Sequence, residues 1–164
     1  MAKSSGHLQN AVVSVAEAAV AEAARKIVVI DDDPTGSQTV HSCPLLLRWD
    51  VQTLRQGLRH PSPLLFVLAN TRALLPEAAA ARNREIVASL EQALAAEGIN
   101  DQQLLLVSRG DSTLRGHGVL EPAVLAEELG DRFSAVHATL HVPAFLPGGR
   151  TTVNGVHLLH GQPV

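Results

Sequence analysis

The sequence predicts an α/β fold: a largely parallel sheet with flanking helices, built from βαβ units. Two observations carry that prediction. Short runs of Val, Ile and Leu recur along the chain, and each stops abruptly at a polar, glycine-bearing segment. Stretches with helical spacing or helix-forming composition separate those runs. Within each run the apolar residues are continuous rather than alternating, as in strands covered on both faces.

The elements follow in order. Residues 1–10 are polar, and Ala11–Arg25 is alanine-rich with Glu17 and Glu22, a good helix-forming composition. Residues 1–25 therefore read as an extension ahead of the domain. Lys26–Ile30 (KIVVI) reads as the first buried strand. Pro44–Leu47 fits a short strand or a helix start. Asp50–Arg59 sets Val51, Leu54 and Leu58 on one helical face. Leu64–Ala69 (LLFVLA) reads as the second strand. Pro76–Glu97 is a long helical stretch, with proline in its first turn and Gly98 as its stop. Leu104–Val107 (LLLV) is the third strand. Glu121–Leu129 is helical: Pro122 fits only in the first turn, and Gly130 closes it. Ala135–Val142 (AVHATLHV) is a fourth strand candidate, and Thr151–Val164 is glycine-punctuated and fits a hairpin.

Composition narrows the function classes. A chain of 164 residues makes one domain, at roughly 100–200 residues per domain. Hydrophobic residues at 46% exclude a disordered tail. No apolar run approaches the length of about 20 residues that a membrane span needs. The net charge of −3 gives no basic field for nucleic acid, and three Phe, one Trp and no Tyr give no stacking platform. Cys43 is the sole cysteine, which excludes an internal disulfide and a cysteine zinc cage. Nothing near it in sequence makes it a nucleophile. The N-terminal segment does not read as a secretory signal, so a cytoplasmic location is expected.

In open α/β sheets, ligands bind beyond the carboxyl ends of the strands. All four candidate strands end in unusual polar sequence. The first leads into Asp31, Asp32, Asp33, Pro34, Thr35, Gly36 and Ser37. The second leads into Asn70, Thr71 and Arg72, and the third into Ser108–His117. The fourth leads to Gly148, Gly149 and Arg150. These turns are expected to form one polar ligand pocket. Three adjacent carboxylates repel one another, which calls for a cation or several donors as partners. Arg72, Arg109 and Arg115 suit a bidentate grip on an anion. Gly116, Gly148 and Gly149 permit close backbone approach. His137 and His141 read as packing residues. His117 and Glu121 stand four apart and fit an ion pair or a pocket wall. The H-x-x-H spacing of His157 and His160 is a weak metal signal, and no metal ligands are assigned.

The D-x-D-x-T spacing of Asp31, Asp33 and Thr35 resembles the haloacid dehalogenase phosphatases. Those enzymes also need a downstream lysine and a late acidic pair. Here Lys3 and Lys26 both precede the loop, and the last acidic residue is Asp131. No Walker P-loop pattern occurs either.

A more specific resemblance comes from four segments together: DDPTGSQTVHSCPLLL (Asp32–Leu47), NTRAL (Asn70–Leu74), SRGDSTLRGH (Ser108–His117) and PAFLPGGRTTVNGVH (Pro143–His157). In order and spacing, residues 26–164 resemble the N-terminal domain of the four-carbon acid sugar kinases, which include 3-oxo-tetronate and threonate kinases. That resemblance implies a two-domain α/β kinase whose N-terminal domain holds the sugar acid. Phosphate from ATP, with Mg²⁺, goes to the acid's terminal hydroxyl. It implies catalytic roles for Asp33 and Asp111, as acceptor or orienter of the hydroxyl proton. Arg109 and Arg115 would clamp the substrate carboxylate, and Arg72 would stabilise anionic charge. Asp32, Thr35, Gly36, Asn70, Ser108, Ser112, Gly116, His117, Gly149 and Arg150 would complete the binding site.

Full members are much longer, and most of their ATP site lies on a C-terminal domain. The chain therefore reads as a truncated, incomplete N-terminal domain, inactive without the nucleotide-binding domain. It is expected to associate with such a domain or with itself. The alternative is a binding module that keeps the sugar-acid pocket without catalysis.

Overall fold

The structure, a computed structural model, describes residues 25–100, 103–111, 115–132, 136 and 138–164. The extension before Arg25, including the expected helix there, lies outside the described residues.

The chain builds β1 (Lys26–Asp31), a 3₁₀ turn (Gly36–Thr39), β2 (Leu45–Leu46), α1 (Val51–Arg59), β3 (Leu64–Leu68), α2 (Pro76–Glu97), β4 (Leu104–Arg109) and α3 (Leu120–Arg132). A second 3₁₀ turn (Leu146–Gly148) precedes β5 (Arg150–Val153), β6 (Val156–Leu159) and β7 (Gln162–Pro163). The first four strands form one all-parallel sheet in the order β2-β3-β1-β4. The α/β prediction is thus met. A separate antiparallel sheet, β5-β6-β7, extends the predicted hairpin to three strands.

Parallel strands require crossovers, and the helices supply them. The helix α1 joins β2 to β3, and α2 carries the chain from β3 past β1 to β4. Packing of α2 against both α1 and α3 makes one helical layer. The core lies between that layer and the sheet. Val28 and Ile30 of β1 and Leu65 and Val67 of β3 meet Leu54 and Leu58 of α1, Ile86, Val87 and Leu90 of α2, and Leu125 of α3.

Local chemistry sets the boundaries. Asp50 is extended, and its Oδ1 accepts from the Thr53 N–H at 3.0 Å, which caps α1. Proline opens α2, and Gly98 ends it at φ 68°, in the left-handed region that favours glycine. Pro122 falls in the first turn of α3, as predicted. Gly130 does not close that helix, which runs on to Arg132, where the guanidinium bonds Glu128 and Glu91. The ambiguous Pro44–Leu47 segment pairs as a strand, with Leu45 opposite Phe66. Of the fourth strand candidate, Val136 and residues 138–142 take no strand conformation, and Leu140 and Val142 are exposed. His141 is exposed too, rather than packed, while His137 lies outside the described residues.

Register fixes where the site can be. Asp31 at the end of β1 lies level with Leu68 of β3 on one side and Arg109 of β4 on the other. The loops that follow these strands therefore leave the sheet side by side.

Candidate functional site

Asp31 ends β1, and Asp32 and Asp33 open the loop that follows. Asp31 and Asp32 are buried at 0% and 1% exposure, whereas Asp33 is only partly covered. Their repulsion is met by donors. Arg72 grips Asp32 bidentately, Nε to Oδ2 at 3.0 Å and Nη2 to Oδ1 at 2.8 Å. Its remaining nitrogen, Nη1, lies 3.2 Å from Asp33 Oδ2. Asp32 Oδ2 also accepts from the Asp111 N–H at 3.2 Å. One carboxylate thus ties together the loops after β1, β3 and β4.

Asp31 faces Arg109. Arg109 Nη1 donates to Asp31 Oδ1 at 3.3 Å, and the Asp33 N–H lies 3.4 Å from the same oxygen. Burial pushes the Asp31 carboxyl above its ordinary range, against the opposing pull of Arg109. Asp33 moves the other way: the Thr35 hydroxyl and N–H both donate to its Oδ1 and hold its carboxyl below the usual range. Asp111, whose side chain is 8% exposed, accepts from Arg115 Nε at 2.8 Å and lies 2.7 Å from its Nη2.

Two glycines let the loops close. A Cβ at Gly36 would overlap Arg109 Nη1 and both carboxyl oxygens of Asp31. At Gly116 it would lie 2.7 Å from the Asp111 carbonyl oxygen and 2.9 Å from Asp32 Oδ2. Behind the loops, Asn83 of α2 donates to Glu121 of α3 at 3.1 Å, and both are buried. Glu121 Oε2 sits near Gly110, next to the Asp32 carboxylate.

The structure thus brings Asp32, Asp33, Thr35, Gly36, Arg72, Arg109, Asp111, Arg115 and Gly116 together. Asn70 sits at the rim at φ 51°, its N–H 3.3 Å from the Asp31 carbonyl oxygen. Ser108 lies in β4 opposite Ile30. The His117 imidazole meets the loop before α2, its Nε2 3.0 Å from the Leu74 carbonyl oxygen, while the Glu121 N–H donates to the His117 carbonyl oxygen at 3.0 Å. Ser112, with Thr113 and Leu114, lies outside the described residues. Gly149 and Arg150 take no part in the hydrogen bonds described above. Among the described residues their hydrogen bonds reach only Phe145, Leu146 and His160, and Arg150 pairs with Leu159 in the antiparallel sheet. His157 Nδ1 lies 2.8 Å from the Thr152 hydroxyl, and the His160 backbone N–H donates to the Gly149 carbonyl oxygen at 2.8 Å.

Asp31, Asn83 and Glu121 add buried polar groups that were not among the assigned site residues. For Asp31 the signal was present, since it adjoins Asp32. Asn83 gave none, and Glu121 was read only with His117, because the meeting of Asn83 and Glu121 depends on how α2 packs on α3.

The family described as Sugar-binding N-terminal domain matches residues 27–164. The chain belongs to that family. No curated protein and no solved structure matches it. The match gives the sugar-binding domain a carbohydrate-binding role, and the convergent loops are its candidate site. Arg72 has all three nitrogens turned inward. Arg109 and Arg115 keep side chains 42% and 67% exposed, so their outer edges can meet an anion.

Asp32 has no oxygen left for a cation such as Mg²⁺. Both oxygens of Asp32 are held by Arg72, and among the described residues no three His, Cys, Asp or Glu side chains are grouped to hold a metal. Nor is a phosphate cradle offered by the helices, whose N-termini carry Asp50, Glu77 and Glu121. A phosphatase mechanism fares no better, because its attacking carboxylate would be Asp31, which is fully buried. No helix among the described residues is long and apolar enough to cross a membrane.

Proposed function

We propose that the sugar-binding domain holds the acceptor for an ATP-dependent kinase that phosphorylates the terminal hydroxyl of a four-carbon sugar acid. One observation carries the reading. Two guanidinium groups with open edges, Arg109 paired with Asp31 and Arg115 paired with Asp111, share with the partly exposed Asp33 carboxylate a set of loops that Asp32 ties together. Guanidinium forks match a carboxylate, and aspartate accepts from a hydroxyl. A small hydroxylated acid presents both groups. The SRGDSTLRGH segment supports the same class of acceptor through its resemblance to the four-carbon acid sugar kinases.

The geometry and the resemblance support the following roles. Arg109 and Arg115 receive the carboxylate. Asp33, held ionised by Thr35, accepts from a substrate hydroxyl and orients it. Asp111 is the second candidate for that role and for taking up the proton. Arg72 acts from behind, holding Asp32 and Asp33, rather than meeting the ligand. The nucleotide is supplied by a separate domain.

Complementation tests the reading. The chain is mixed with a separately produced nucleotide-binding domain of the kinase family, ATP and threonate. Phosphorylated threonate is the expected product, and Asp111→Asn abolishes it while circular dichroism stays unchanged. Threonate binding without turnover would instead support the non-catalytic module. Near-normal turnover in Asp111→Asn would remove Asp111 from the mechanism.

A further inference from the structure

From the pairing of Asp31 with Arg109 beneath Gly36, we infer that Asp31 is a positioning residue: it fixes the Arg109 guanidinium so that its outer edge selects ligands carrying a carboxylate. This rests on the reading that Arg109 receives the ligand's acid group.

Three observations build it. First, β1 and β4 place the two residues directly opposite each other, on the same face of the sheet. Arg109 Nη1 reaches back to Asp31 Oδ1, while the arginine side chain remains 42% exposed. The pair is therefore buried at one end and open at the other. Second, the residue above it is the smallest possible. Gly36 is buried, and any Cβ there would overlap Arg109 Nη1 and both oxygens of Asp31. Third, Asp31 Oδ2 is buried without a donor among the described residues. A half-satisfied buried carboxylate costs stability. A group that lowers stability yet orients an exposed cation fits a functional constraint better than a structural one.

Asp31 has no route to the ligand, so it acts only through Arg109. With one guanidinium edge anchored, the other meets a carboxylate without first losing side-chain freedom. A neutral polyol gains nothing from that arrangement, and this separates positioning from a general structural role.

Calorimetric titration of the full chain with threonate and with threitol, its neutral counterpart, provides the test. Asp31→Asn keeps the shape of the side chain. It is expected to weaken threonate binding by about tenfold or more, to leave threitol binding unchanged, and to leave Tm unchanged or raised. Gly36→Ala is expected to weaken threonate selectively as well, with Asp31 still present. Wild-type threonate affinity in Asp31→Asn would overturn the inference. So would a lowered Tm with both ligands weakened in proportion, which is the result a purely structural pair produces.

Failure of the wild-type chain to bind threonate would instead remove the sugar-acid reading. The positioning role would then be decided by the nitrogen-15 guanidinium spectrum of the ligand-free chain. Slow rotation of the Arg109 guanidinium in wild type, released in Asp31→Asn, supports it, and identical spectra overturn it.

Discussion

Arg72 turns its whole guanidinium fork towards Asp32 and Asp33, and its side chain is 15% exposed. Those hydrogen bonds raise its already high pKa further, so it stays charged throughout the accessible range. Removing one partner of a buried pair leaves the other charge uncompensated, and the cost is about 3–5 kcal/mol. Arg72→Ala is therefore expected to lower the unfolding free energy by about 3 kcal/mol, read from urea denaturation. Arg72→Lys restores the charge but not the fork and should recover only part of the loss. A loss of only a few tenths would mean that Arg72 does not tie the loops together. At this scale the sequence displayed the reactive residue types but not their partners. Three aspartates in a row announced an electrostatic problem. That Asp31 would turn to Arg109 and Asp32 to Arg72 depended on strand register, which joins residues 78 and 40 positions apart. The His117–Glu121 spacing does carry a helical hydrogen bond, from the Glu121 N–H to the His117 carbonyl oxygen, but it did not say that the imidazole would meet the Leu74 carbonyl oxygen instead of the Glu121 carboxylate.

Among the elements, α2 carries the largest share of the core. Leu90 is fully buried between the sheet and the neighbouring helices. Leu90→Ala should cost about 3 kcal/mol through lost transfer energy and the cavity left behind, with a matching fall in denaturation midpoint. A second contact joins the helices at their ends. Glu97, the last residue of α2, accepts from Arg55 Nε at 2.7 Å and from Arg59 Nε and Nη2 at 2.7 and 2.8 Å. These guanidinium groups lower its carboxyl from 4.5 to about 2. Because folding lowers this pKa, the Glu97 contribution is complete above about 4.5 and is lost as pH falls towards 2. Glu97→Gln should therefore reduce stability at neutral pH and flatten the acid limb of the stability–pH curve across that window. An unchanged acid limb would show that the helix ends are joined by something else. Helix boundaries were the most legible features, since Asp50, Pro76 and Gly98 announce them through local chemistry. The candidate strand at Ala135–Val142 was less so, because apolar composition does not say whether a partner edge is reached.

Viewed whole, the molecule has two parts with different characters. The parallel sheet and its helical layer hold a cluster of opposed charges at the carboxyl ends of β1, β3 and β4. The antiparallel sheet after Phe145 carries Arg150 and exposes Val153, Val156 and Leu159. One pocket embracing every polar turn was expected. Shared hydrogen bonds tie the loops after β1, β3 and β4 together, and Gly149 and Arg150 take no part in those bonds. Sequence order made the glycine–arginine turn look equivalent to the others, but only strands within one sheet have their loops aligned by register.

The central claim, that these three loops grip a small hydroxylated acid, is tested most directly by titrating the isotopically labelled chain with threonate while recording backbone amide shifts. Saturable changes confined to residues 31–37, 70–72, 109–111 and 115–117 are the predicted result. Saturable changes centred on another part of the chain, or no changes at all, would contradict it.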